Sequence, residues 1–245
     1  PWQYNFMGLC LRAVLIAFFR FLLLLFLVKR THILLFSFSR KTFKFLFSIG
    51  WKMWLWGYLK SVNRSIPRLI IATFESTYIL GLFTPVNWMK TIFYNFATSI
   101  GSYIYLNLSY HYAKQKLAVG KHTLRITIFT ALFSIPFTII GVLTLPIVIR
   151  TFLSQYTSVI IPMQIALVSS VFEIFLMGNI AFATRKAWSL MYWHAGLTIA
   201  LRGIIIYTFY YLFEDKLLGV SWGLLVSSII VALLTVFFVK KVDLI

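Results

Sequence analysis

Long apolar stretches, most of them free of acidic residues, alternate along the chain with short basic segments. The apolar stretches run over about 8–28, 45–73, 85–110, 126–149, 159–183, 188–212 and 218–239. Each is long enough to cross the ~30 Å hydrocarbon core of a bilayer as a helix. Strands of a membrane barrel would read as short alternating segments, and the sequence carries no such pattern. The expected fold class is therefore all-α: a polytopic transmembrane helix bundle of about seven spans.

The composition agrees, with 61% hydrophobic residues, 11% charged residues and a mean hydropathy of +0.90. The net charge is +18. In a soluble protein that excess would suggest nucleic acid; in a membrane protein it reads first as basic loops held on the cytoplasmic side. Thirteen of the 23 Lys and Arg residues fall in four segments: 29–44, 111–125, 184–187 and the C-terminus. The intervening loops hold Arg150 and Lys216. This alternation predicts that the 29–44 loop, the 111–125 loop and the C-terminus are cytoplasmic, and that residues 1–7 are outside.

The stretch 29–44, KRTHILLFSFSRKTFK, mixes bases with Ile33, Leu34, Leu35, Phe36 and Phe38. It reads as an amphipathic link along the inner leaflet, attracted to anionic lipid, and as a boundary between two lobes. No charged n-region with a small-residue cleavage site precedes the first span, so no signal peptide is expected. The chain starts at Pro1, and the expectation is a fragment that lacks an N-terminal part. The single cysteine, Cys10, predicts neither an internal disulfide nor a metal site.

Eight bases fall inside or near the spans: Arg12, Arg20, Lys52, Lys60, Arg64, Arg68, Lys90 and Arg202. A cation at the bilayer centre costs roughly 3 kcal/mol on insertion scales, so most of them must escape lipid. Arg12, Lys52 and Lys90 lie near the expected span ends and are expected to snorkel. Arg20, Lys60 and Arg202 lie near span centres and are expected to face a polar interior. Lys60, Arg64 and Arg68 are spaced four residues apart, which makes one stripe on a helix. Pro67 within the same segment removes one backbone hydrogen bond and is expected to kink the helix. A bent cationic stripe through a membrane predicts the wall of an aqueous, anion-attracting cavity, with Arg68 nearer the outer mouth.

Acids are scarce: Glu75, Glu173, Glu214, Asp215 and Asp243. Glu173 lies near a span centre and has two readings, a proton or sodium coupling carboxylate or a structural partner of Arg202. The histidines His32, His111, His122 and His194 show no metal spacing. No nucleophile elbow, P-loop or carboxylate pair is present, so catalysis, a cofactor and a bound metal are not expected.

Three segments resemble the polysaccharide/oligosaccharide flippases of the MOP (multidrug/oligosaccharidyl-lipid/polysaccharide) superfamily. The first is NRSIPRLIIATFESTYILGLF, 63–83, with Asn63, Pro67, Arg68 and then Gly81, Leu82 and Phe83 opening the next span. The second is LTLPIVIRTFLSQYTSVIIPMQI, 143–165, a leucine-proline helix end and an aromatic turn. The third is FEDKLLGVSWGLLVSSII, 213–230, with Gly219 and Gly223 at the start of the last helix. The resemblance implies a six-helix C-terminal lobe over 45–239, with 1–28 as the last helix of a preceding lobe, 29–44 as the linker and 240–245 as a cytoplasmic tail. It also implies a flippase, working by alternating access, for lipid-linked O-antigen or exopolysaccharide repeat units on undecaprenyl pyrophosphate in the bacterial cytoplasmic membrane. Expected substrate-binding residues are Arg20, Lys60, Arg64, Arg68 and Arg202. Membrane lipids, a glycan polymerase and glycosyltransferases are the implied partners, and nucleic acid is not. Alternatives are a peptidoglycan lipid-precursor flippase, a drug exporter of the same superfamily, and a non-transporting membrane subunit of a glycan-assembly complex.

Overall fold

The structure, a computed structural model, describes residues 11, 14–23, 26, 39–115 and 119–243. Residues 1–7, most of the 29–44 link, Arg12 and the last two residues of the tail lie outside the described residues. The chain divides into two compact units, Pro1–Ile49 and Gly50–Ile245. In the first unit a short apolar helix, α1, covers Val14–Leu23. It falls within the expected span 8–28, the remainder of which is largely outside the described residues.

Regular structure among the described residues is helical throughout. α2 covers Arg40–Phe74, α3 Thr77–Gln115 and α4 Val119–Phe152. A 3-10 turn, Ser154–Val159, leads into α5, Ile160–Glu173, and a second 3-10 stretch, Ile174–Gly178, leads into α6, Asn179–Thr184. α7 covers Trp188–Leu212 and α8 covers Lys216–Val242. Six of the seven expected spans thus fall on these helices. Among the described residues, four runs are long and apolar enough to cross a membrane: Val119–Phe152, Ser154–Thr184, Trp188–Leu212 and Lys216–Val242. α2 and α3 are longer, at 35 and 39 residues, and are set apart by their composition. Their cations and amides belong to the site described below.

The expected span 159–183 is not one straight helix. Its α-helical hydrogen bonding ends at Glu173 and tightens to 3-10 through Gly178. A Cβ on Gly178 would lie 2.9 Å from side-chain atoms of Thr235 and Val239. α8 therefore presses on this segment, and a tight turn is the local answer.

α7 and α8 pack closely against each other. A Cβ on Gly219 would lie 2.6 Å from the Phe209 carbonyl, and one on Gly223 would lie 2.8 Å from the Ile206 Cα. Small residues one turn apart allow this approach, as lipid supplies little hydrophobic drive between helices. Around the pair the core gathers Ile71, Phe83, Val86, Ile149, Met163 and Leu224. α4 turns a broad apolar face outward, with Phe129, Leu132, Phe133 and Ile140 exposed, which suits contact with lipid.

The two ends of the lobe differ in charge. At one end Asp243 accepts hydrogen bonds from the Gly120 and Lys121 amides, both 2.8 Å, and lies 4.0 Å from Arg185. Lys52 at the same end lies over the Trp188 ring. The 111–125, 184–187 and C-terminal basic segments therefore meet at one end. At the other end the Tyr210 hydroxyl donates to Glu75, 2.8 Å, and Lys216 donates to the Phe213 carbonyl.

The close glycine contacts carry a prediction. Gly219→Val is expected to lower stability by about 1–3 kcal/mol, the usual cost of overpacking. Gly203→Ala, where a Cβ meets nothing within 4 Å, is expected to be neutral or slightly stabilising. Thermal unfolding of the two variants in the same detergent separates them.

Candidate anion-binding site

Lys60, Arg64 and Arg68 occupy one side of α2, as their spacing predicts. Arg64 and Arg68 border a cavity of about 190 Å³ between α2 and α3. Ser61 and Ser65 complete its α2 wall, and Asn87, Lys90, Thr91 and Tyr94 form the α3 wall. The Arg64 guanidinium lies 3.7 Å from the centroid of the Tyr94 ring, a cation–π contact that fixes the side chain without neutralising it. Ser65 donates to the Ser61 carbonyl at 3.0 Å and Thr91 donates to the Asn87 carbonyl at 2.7 Å. Their protons are used along the helix, so their oxygens are left to accept from a guest. The wall offers cations for an anion and acceptors for hydroxyl groups.

Behind this wall lies a buried charge cluster. Glu173 Oε1 receives the Lys90 ammonium and the Arg202 guanidinium, each at 2.8 Å. Arg202 also donates to Ser228 at 3.2 Å. Residue exposure is 5% for Lys90, 2% for Glu173 and 0% for Arg202, so the cluster is sealed from most of its surroundings. Breaking such a pair from one side leaves an uncompensated buried charge. The sequence leaves two readings open for Glu173, a coupling carboxylate or a structural partner of Arg202, and in the structure its carboxylate contacts Arg202.

One expectation needs correction. Lys90 does not snorkel: it is buried, and its ammonium is held at 2.8 Å by Glu173. Arg202, expected to face a polar interior, is buried against Glu173 and Ser228 on the far side of the cluster.

A second, smaller cavity of about 20 Å³ lies on that far side. Lys60, Asn63, Asn179, His194 and Arg202 border it, with Arg64, Tyr94 and Glu173 shared between the two cavities. Lys60 thus turns to this side, its ammonium 5.8 Å from the Trp56 ring centroid. Several polar atoms here have no protein partner among the described residues: Asn63 Oδ1, both amide atoms of Asn179, His194 Nδ1, and Arg202 Nε and Nη1. The space admits one water-sized guest, able to accept from the arginine and donate to the asparagine and histidine. Pro67 is buried within α2, which continues as a helix past it to Phe74. Arg20 belongs to the first unit, where it is exposed on α1.

The fold and the site together define a helical membrane protein with a cation-walled cavity inside its lobe. Residues 2–162 match the family model described as polysaccharide biosynthesis protein, and the chain belongs to that family. No curated protein and no solved structure matches the chain.

The cluster predicts an order of damage. Glu173→Gln leaves two buried cations without a carboxylate and is expected to cost about 3–5 kcal/mol. Lys90→Met leaves Glu173 and Arg202 matched one to one and is expected to cost clearly less. Unfolding midpoints in detergent test the order; an equal loss in both variants would contradict it.

Proposed function

We propose that the chain is part of a flippase of the MOP superfamily that moves an undecaprenyl-pyrophosphate-linked oligosaccharide across the bacterial cytoplasmic membrane. The observation that carries this reading is the cavity between α2 and α3, walled by Arg64 and Arg68, in a polysaccharide biosynthesis protein. A pyrophosphate is the part of such a substrate that hydrocarbon rejects most strongly. Fixed cations along the path lower that barrier, and attraction without a tight fit allows release on the other side.

The hydroxyl acceptors on the same wall suit a sugar next to the phosphates. Lys60, on the smaller cavity, is read as a further cation on the route. Alternating access by two lobes would expose the cavity to each leaflet in turn. A cation-drug exporter fits the site less well, since the one carboxylate bordering the cavity, Glu173, is already shared by two cations.

The gathering of three basic segments at one end of the lobe supports a cytoplasmic placement of that end and of the C-terminus. In this reading the protein carries out transport and not catalysis. Its partners are the lipid-linked glycan and the enzymes that build and polymerise it.

Replacement in the native gene, with surface glycan as the readout, tests the reading. Arg64→Ala is expected to reduce export strongly at normal protein level. Arg64→Lys keeps the charge but loses the stack on Tyr94, and is expected to retain an intermediate level. Normal export by Arg64→Ala and Arg68→Ala together would refute the cavity's role.

A further inference from the structure

Lys90 stands out once the charges are counted. The buried cluster holds two cations and one carboxylate, and both cations contact the same carboxylate oxygen. The surplus positive charge lies next to Arg64 and Arg68, and Lys90 and Glu173 themselves border the larger cavity. An anion entering that cavity would meet three cations, one of which is already engaged. From this arrangement we infer that Lys90 is an additional phosphate-binding residue, held by Glu173 while the cavity is empty and transferred to the phosphate when it is occupied. The inference rests on the proposed transport of a phosphate-bearing substrate and names a residue and an exchange that this reading does not require.

Three features favour Lys90 as the partner that moves. Its ammonium ends a flexible four-carbon stem, and each of its protons can turn to a new acceptor. Arg202 is fully buried, planar and bonded to Ser228 as well as Glu173, so it is fixed in place. Departure of Lys90 also leaves no orphaned charge, because Glu173 and Arg202 remain paired one to one. The two cations around one oxygen repel each other, and a second anion on the cavity side relieves that repulsion. The exchange costs Lys90 one charge-assisted bond and returns another. Glu173 therefore acts as a competitor for the substrate's phosphate and holds its affinity down, which favours release.

The ligand chemistry is a phosphate group, and both a lipid-linked sugar pyrophosphate and an ordinary phospholipid carry one. The test uses the whole chain in phosphatidylcholine nanodiscs and titrates inorganic pyrophosphate by calorimetry. Lys90→Met is expected to weaken binding several-fold, because the bond Lys90 gains from the phosphate and the relief of its repulsion by Arg202 together outweigh the bond to Glu173 that it gives up. The paired variant Glu173→Gln/Arg202→Met keeps the same net charge in the cluster but frees Lys90. It is expected to bind several-fold more tightly than the wild type, and adding Lys90→Met to it should remove the gain. A purely structural Lys90 would move neither number.

Should the paired variant not fold, the Lys90→Met titration decides alone. If pyrophosphate binding is lost in Arg64→Ala but unchanged in Lys90→Met, the exchange is refuted and the transport reading stands. If the wild type does not bind pyrophosphate, both are refuted. Nanodiscs containing phosphatidylglycerol form the second arm: binding that survives there supports a substrate role, while binding abolished there assigns the site to bilayer headgroups and overturns the inference.

Discussion

A charge in a medium without water must find an opposite charge, and in this lobe that requirement converges on Glu173. Its carboxylate joins α5, α3 and α7 through Lys90 and Arg202, and reaches α8 through Ser228. Four helices are thus referenced to one oxygen atom. Hydrophobic packing cannot supply such a fixed point in a membrane, because lipid competes for the same surfaces on equal terms. The cluster also divides the polar interior into two chambers. Arg68 borders the larger one, Lys60, Asn63 and His194 border the smaller one, and Arg64 borders both.

The acidic residues are few, and the geometry shows how most of them are used. Glu75 accepts from Tyr210 at the turn between α2 and α3, and Asp215 caps the start of α8 through the Leu217 and Leu218 amides. Glu173 sits between two cations and Asp243 caps α4. Each anion meets a donor that a membrane would otherwise leave unsatisfied. The cations outnumber them, and the surplus splits between one end of the lobe and the cavity wall. That split is what joins a basic composition to a cation-walled cavity.

Much of the helix layout was legible in the sequence because the apolar periods are long. The limits of α7, Trp188–Leu212, coincide with the expected 188–212. The expected span over α3 opens near 85, whereas the helix begins at Thr77 and holds Pro85 inside it. Lys90 escaped notice because a lysine near a span end needs no partner, whereas the fold buries it against Glu173. The 3-10 stretch Ile174–Gly178 gives no local signal, since its residues are apolar and its shape follows from the approach of α8 to Gly178. The stripe of Lys60, Arg64 and Arg68 was visible from spacing alone. Its division between two chambers was not, because the walls opposite the stripe come from residues distant in the chain: Asn87 and Lys90 on one side, Asn179 and His194 on the other.

The cap that Asp243 places on α4 has a consequence for biosynthesis. Its two oxygens hold the Gly120 and Lys121 amides, more than 120 residues earlier in the chain. While the ribosome is still producing α5 to α8, those amides have no such partner, and the start of α4 must be kept at the water interface by solvent alone. The basic end of the lobe can therefore lock only after α8 has been synthesised and inserted. Until then α4 starts without its cap, and the residue that closes this end arrives with the end of α8.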